Sequence, residues 1–154
     1  MQKILFVCHG NICRSPMAQY LLAHLAAERG LACRTQSAAT SREEIGNPIY
    51  PPARRKLREK GIPFGDHRAV QMTRQDYGAY DLLLAMDQAN VRNMTAIAGG
   101  DPAGKIHRLL DFTDHPRDIA DPWYTGDFEA TYDDLLQGCQ ALLDWLEGQD
   151  PPCV

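Results

Sequence analysis

The first sixteen residues constrain the chain most. Lys3-Ile4-Leu5-Phe6-Val7 is a short apolar run of the kind buried in a parallel sheet. It feeds directly into Cys8-His9-Gly10-Asn11-Ile12-Cys13-Arg14-Ser15-Pro16. Ser15 followed by Pro16 reads as a helix start, an N-cap hydroxyl with proline at the first helical position. The loop between them therefore lies at a strand's carboxyl end and a helix's amino end, where unpaired backbone N–H groups and the helix dipole favour an anion.

Within that loop the residue types suit one tetrahedral anion. A ring of amides needs a tight turn, and Gly10 and Asn11 both tolerate positive φ. Arg14 has the forked guanidinium that bonds two oxygens at once. Cys8 falls at the base of the ring, where loop amides, helix dipole and the Ser15 hydroxyl are expected to make the thiol acidic and nucleophilic. A bare Cys-x5-Arg spacing recurs by chance. Here the strand before it, Gly-Asn inside it and Ser-Pro after it make the coincidence specific.

At 154 residues the chain is read as one domain, 1–154. Its apolar runs are too short to span a bilayer, and no basic, apolar, small-residue leader pattern opens it, so a cytoplasmic protein without membrane contact is expected. Five cysteines, at positions 8, 13, 33, 139 and 153, show no disulfide framework. No Cys-x2-Cys or His-x3-His pair suggests a metal, and no cofactor is expected. The net charge of −4 is unevenly spread: residues 111–154 hold eleven acids and one arginine, leaving nine acids and fifteen bases in 1–110. A basic half carrying the loop would steer anionic substrates. The run Arg54-Arg55-Lys56-Leu57-Arg58 lacks interleaved aromatics and reads as a solvated helix face, not a nucleic-acid site.

The remaining pattern alternates helices and strands. Met17, Leu21, Leu22 and Leu25 share one face of a helix over 16–28, ending near Gly30. A weak strand over 34–38 follows, then a polar loop to Pro48. A basic helix over 52–60 is closed by Gly61, a third strand covers 81–85, a helix 87–98 and a fourth strand 106–110. After a loop holding Asp111, Asp114, Asp118 and Asp121, Phe128, Tyr132, Leu135, Leu136, Cys139, Leu142, Leu143 and Leu146 repeat with a period of about 3.6 residues and mark the last helix. Residues 148–154 are expected to fray, leaving Cys153 an exposed thiol. Strands alternating with helices imply right-handed crossovers, hence an α/β fold with a four-stranded parallel sheet and helices on both faces.

A second chemical stretch is Asp121-Pro122-Trp123-Tyr124. A carboxylic acid facing the thiol could protonate a leaving oxygen and, once ionised, activate water. Pro122 restricts the Asp121 backbone to extended conformations, and the two aromatic rings could wall a slot for an aromatic group. The residues alone also allow a turn with core aromatics, and Asp111, Asp114 and Asp118 compete for the acid's role.

Taken together, Cys8 to Pro16, Ser37-Ala38-Ala39-Thr40, Ile45-Gly46-Asn47-Pro48, Gly61-Ile62-Pro63, His67-Arg68-Ala69, Ala85-Met86-Asp87 and Asp121 to Tyr124 resemble the low-molecular-weight protein tyrosine phosphatases. The resemblance covers essentially the whole chain. It implies strand order 2-1-3-4 and hydrolysis of phosphotyrosine in proteins, and of small aryl phosphates, through a phosphocysteine. Cys8 would be nucleophile, Arg14 the phosphate ligand and Asp121 the acid and base. His9, Gly10, Asn11, Ile12, Cys13 and Ser15 would surround phosphate or another oxyanion, with Trp123 and Tyr124 as walls. Asn11, Ser15, His67 and Asp87 match bracing positions, the last two as a pair. Cys13 offers an oxidised Cys8 a disulfide partner. Glu43 stands where several eukaryotic members carry an aromatic residue, which implies an anionic wall that disfavours acidic flanking peptides. Related phosphatases of phosphoarginine carry threonine at the position of Ile12, so isoleucine argues for a phenol. The competing readings are a phosphoarginine phosphatase, a thiol-dependent arsenate reductase and a non-catalytic phosphate-binding module.

Overall fold

The computed structural model describes residues 1–149. Strands β1 (Gln2–Cys8), β2 (Cys33–Ala39), β3 (Leu82–Ala85) and β4 (Ile106–Arg108) form one parallel sheet in the order 2-1-3-4. Helices are α1 (Arg14–Glu28), α2 (Pro51–Glu59), α3 (Arg74–Ala79), α4 (Gln88–Ala98), α5 (Pro122–Thr125) and α6 (Phe128–Gln149). The architecture expected from the sequence is the one found.

β1 is central and pairs on both sides, from Gln2↔Cys33 to Cys8↔Ala39 and from Ile4↔Leu82 to Val7↔Ala85. Its apolar residues alternate between two cores, as period 2 requires. Ile4, Phe6 and Cys8 face the layer of α1 and α6, with Met17, Leu22 and Leu142. Leu5 and Val7 face the layer of α4, with Met94 and Ala98. All four strands end at one edge, where ligands of open parallel sheets bind. Cys8, Ala39, Ala85 and Arg108 are the terminal residues there.

Several boundaries differ from the sequence reading. β4 stops at Arg108, and Leu109–Phe112 turns into a short 3-10 helix that buries Leu109 and Leu110 against α6. Helix α3 went unpredicted, although Thr73-x-x-Asp76 is a capping pattern, realised by the Thr73 N–H donating to Asp76 Oδ2 at 2.8 Å. Helix α6 runs through Gly148 to Gln149, where fraying was expected. Cys153 and residues 150–154 lie outside the described residues. The basic and acidic stretches meet in the fold: Lys56 of α2 and Lys60 just after it both reach Glu129 of α6, at 2.6 and 2.8 Å.

At Gly138 in α6 an added Cβ would lie 2.6 Å from Leu109 Cγ and 3.2 Å from Leu110 Cδ2, both on fully buried side chains. Gly138→Ala gains about 1 kcal/mol of helix propensity but overpacks this contact by about 1–3 kcal/mol. We expect a net loss of about 1 kcal/mol, read as a fall of about 2–4 °C in Tm.

Candidate active site

The loop from His9 to Cys13 joins β1 to α1 and wraps over the Cys8 sulfur. Asn11 carries the turn at φ 60° and is fully buried. Its backbone N–H points at Cys8 Sγ, 3.3 Å away. Its side chain is fixed at both ends: Nδ2 donates to Ser15 Oγ at 2.8 Å, and Oδ1 accepts from the Val70 N–H at 3.1 Å. His67 Nε2 donates to the Asn11 carbonyl at 2.9 Å; burial lowers the His67 pKa, against the opposing effect of this bond.

Two sequence expectations are corrected here. Gly10 does not take positive φ; Asn11 does. A Cβ at Gly10 would crowd the Glu44 side chain, with Cγ at 3.3 Å. Ser15 is not the N-cap either. Cys13 occupies that position, Ser15 lies inside α1, and Pro16 follows within its first turn. The Ser15 hydroxyl lies 3.0 Å from Cys8 Sγ instead. Because Ser15 Oγ already accepts from Asn11, its hydrogen is available for the sulfur.

Arg14 is 3 % exposed and enters from the first turn of α1. Nη1 donates to Asp87 Oδ2 at 2.7 Å and to the Ile119 carbonyl at 2.9 Å; Nη2 lies 3.4 Å from Asp121 Oδ2. Burial opposes the charge, but Cys8, Asp87 and Asp121 outweigh it and hold the guanidinium above its ordinary pKa. Among the described residues none of these bonds uses Nε, so that edge remains for an anion. His67 and Asp87, expected as a pair, act separately: one braces the loop backbone, the other Arg14.

A cavity of about 100 Å³ opens over the loop. It is lined by the loop residues Cys8 to Gly10 and Ile12 to Arg14, by Glu43 and Glu44, and by Asp121, Trp123 and Tyr124. Asp121 caps α5, Oδ1 accepting from the Trp123 N–H at 3.1 Å. Its rivals stand elsewhere: Asp111 binds Arg108, and Asp118 binds Arg108 and the Gln88 N–H. Trp123 is 51 % and Tyr124 82 % exposed, so neither is core. Trp123 leans on Tyr50, ring centroids 4.8 Å apart, and Tyr50 in turn on Phe128. Glu43 pairs with His9 at 3.0 Å, and Glu44 accepts from Asn47 Nδ2 at 2.6 Å. Burial first, then Cys8 and Asp121, push the Cys13 thiol strongly up.

Sequence reasoning missed Glu44, Tyr50 and Ile119. Glu44 stood next to a residue that was chosen. Tyr50 had no local signal, and Ile119 acts through its backbone. Among the described residues no group of three His, Cys, Asp or Glu side chains is placed to hold a metal ion. No helix there is long and apolar enough to cross a membrane.

A family model described as low molecular weight phosphotyrosine protein phosphatase matches residues 3–150. The chain is 40 % identical to the low molecular weight protein-tyrosine-phosphatase YfkJ of Bacillus subtilis, over 93 % of this chain and 94 % of that protein. It is 33 % identical to PtpA of Staphylococcus aureus, over 95 % and 94 % respectively. The crystal structure of YfkJ superposes with a TM-score of 0.94 at 38 % identity, covering 97 % of both chains.

Proposed function

The chain belongs to the low molecular weight phosphotyrosine protein phosphatase family, and on that premise we propose that it hydrolyses phosphotyrosine in proteins by passing the phosphoryl group through Cys8. The observation that carries this reading is the convergence of the Asn11 N–H and the Ser15 hydroxyl on Cys8 Sγ, in the cavity that also holds Arg14 and Asp121. Such donors favour negative charge on sulfur, and the thiolate is the attacking form.

In the first step Cys8 Sγ attacks phosphorus and the bond to the tyrosine oxygen breaks. Asp121 gives its proton to the departing phenolate, while Arg14 and the loop amides hold the equatorial oxygens as charge develops. In the second step water attacks the phosphocysteine, ionised Asp121 accepts its proton, the S–P bond breaks and phosphate leaves. Trp123 and Tyr124 flank the phenol. The buried Cys13, its pKa raised by burial, stays a thiol until peroxide oxidises Cys8 to a sulfenic acid, with which it condenses to a disulfide as water leaves. Four free cysteines among the described residues suit a reducing cytoplasm.

Two competitors lose support. An arsenate relay needs a thiol within reach beyond Cys8 and Cys13. Cys33 sits at the opposite end of the β1–β2 ladder, where it pairs with Gln2, and Cys139 is wholly buried on the core face of α6. A mere phosphate-binding module has no use for Asp121 in the cavity that holds the sulfur.

Phosphoarginine is the second reading, because Glu43 and Glu44 would attract a guanidinium. Ile12 on the cavity lining opposes it, offering only methyl groups and leaving guanidinium N–H groups unpaired. We expect at least about tenfold preference in kcat/KM for phosphotyrosine, or about 1.4 kcal/mol. Matched phosphotyrosine and phosphoarginine peptides, hydrolysed by wild type and Ile12→Thr, test it. A wild type preferring phosphoarginine would sink the assignment, and an unmoved preference in the variant would acquit Ile12.

A further inference from the structure

The loop that delivers Asp121 starts at Thr113, and its middle, Asp114 to Pro116, is exposed. Its closing half is tied down at successive residues. Arg117 reaches Asp134 of α6 at 2.8 Å. Asp118 Oδ1 accepts from the Gln88 N–H at 2.9 Å and from Arg108 Nη1 at 3.1 Å. The Ile119 N–H donates to the Met86 carbonyl at 2.9 Å, and the Ile119 carbonyl accepts from Arg14 Nη1 at 2.9 Å. The Ala120 carbonyl accepts from Thr131 Oγ1 at 3.3 Å. Asp121 is the next residue.

Arg108 has a place of its own among these ties. It is the last residue of β4, at the sheet edge where the site lies. Asp111 fixes it from its own turn: Oδ1 accepts from Nε at 3.0 Å and faces Nη2 at 2.9 Å, while Oδ2 accepts the Arg108 backbone N–H at 3.0 Å. Nη1 is left to reach Asp118. Asp118 thereby bridges the sheet edge, the start of α4 and the acid loop, one residue before the carbonyl that orients Arg14. It lies outside the cavity.

We propose that Arg108 and Asp118 form a positioning clamp for the acid loop, setting where the Asp121 carboxyl stands relative to Cys8 without touching substrate. The proposal rests on the reading of Asp121 as general acid. Asp118 is half exposed, and exposed ion pairs contribute little singly. The neighbouring ties also remain in any single variant. The clamp therefore tunes the acid and does not create it.

The test is a series of aryl phosphates whose phenols range from good to poor leaving groups. Arg108→Ala and Asp118→Asn are each expected to lower kcat on phenyl phosphate about five- to tenfold, with less than about twofold change on p-nitrophenyl phosphate, whose departure needs little protonation. Arg108→Lys should recover part of the loss. In an Asp121→Asn background, Arg108→Ala should add less than about twofold, because residues acting through one group are not additive. Equal losses on both substrates, or a full Arg108→Ala effect persisting without the Asp121 acid, would overturn the clamp. Asp118→Asn keeps Oδ1 as an acceptor for both the Gln88 N–H and Arg108 and removes only the charge, so it spares the fold and reads the ionic part of the clamp even if Arg108→Ala is poorly folded. A wild type inactive on every aryl phosphate would overturn the phosphatase reading itself, a failure distinct from a flat leaving-group series.

Discussion

Replacing Cys8 by serine will lower turnover by at least about 10³-fold while leaving phosphate and vanadate bound. A hydroxyl at that position is neither ionised near neutral pH nor comparably nucleophilic, and loss of the nucleophile removes the covalent route altogether. The anion cradle does not depend on the sulfur. Asn11 holds the loop through Ser15, Val70 and His67, and Arg14 is held by Asp87 and Ile119. Cys8 is buried at the end of β1, and serine is close in size, so the strand and its ladder should persist. Calorimetric titration with phosphate beside an assay on p-nitrophenyl phosphate checks both halves. A Cys8→Ser enzyme retaining a tenth of wild-type turnover would remove Cys8 from the mechanism. The same variant, trapping phosphoproteins from a lysate, would give the physiological substrate.

The second large effect belongs to Asp121. Asp121→Ala should lose about 10²–10⁴-fold in kcat on phenyl phosphate, the usual contribution of a positioned acid, and less than about tenfold on p-nitrophenyl phosphate. Alanine also deletes the N-cap of α5 and one partner of Arg14. Asp121→Asn separates these losses, since asparagine still caps but cannot give up a proton. If the two variants share the leaving-group dependence, proton transfer is the cause. If alanine alone is impaired, equally on every substrate, Asp121 is structural. Asp111 and Asp118 are engaged by Arg108 and lie outside the cavity, so neither takes over from Asp121.

What the sequence showed, it showed through local patterns. The apolar run of β1 and the stripe of α6 follow from periodicity, and both are buried as read, Cys139 included. The loop from Cys8 to Arg14 was legible as a unit because its residue types sit within one turn of one another. Their individual duties were less so. Of the two residues whose types allow positive φ only Asn11 uses it, and Ser15 lies inside α1 while Cys13 holds the N-cap position without a side-chain cap bond, because a short loop can distribute its strain in several ways. Asp121 could not be separated from its rivals by spacing, and only the resemblance chose it. Arg108, Tyr50 and Glu44 act across contacts made by the folded sheet edge, between residues distant in the chain, and carry no signature in one dimension.

The two bonds on Arg14 Nη1 have a thermodynamic consequence. A free arginine side chain carries about 2 kcal/mol of rotamer entropy, and a ligand that must immobilise one gives up that much of its affinity. Here Asp87 and the Ile119 carbonyl stop the guanidinium's motion before any ligand arrives. The ordering cost belongs to folding and not to recognition, so an incoming oxyanion meets a donor already at rest. Whatever loosens the turn after β3, at Met86 or Asp87, would return that entropy to the binding step and weaken anion affinity without altering any atom that touches the anion.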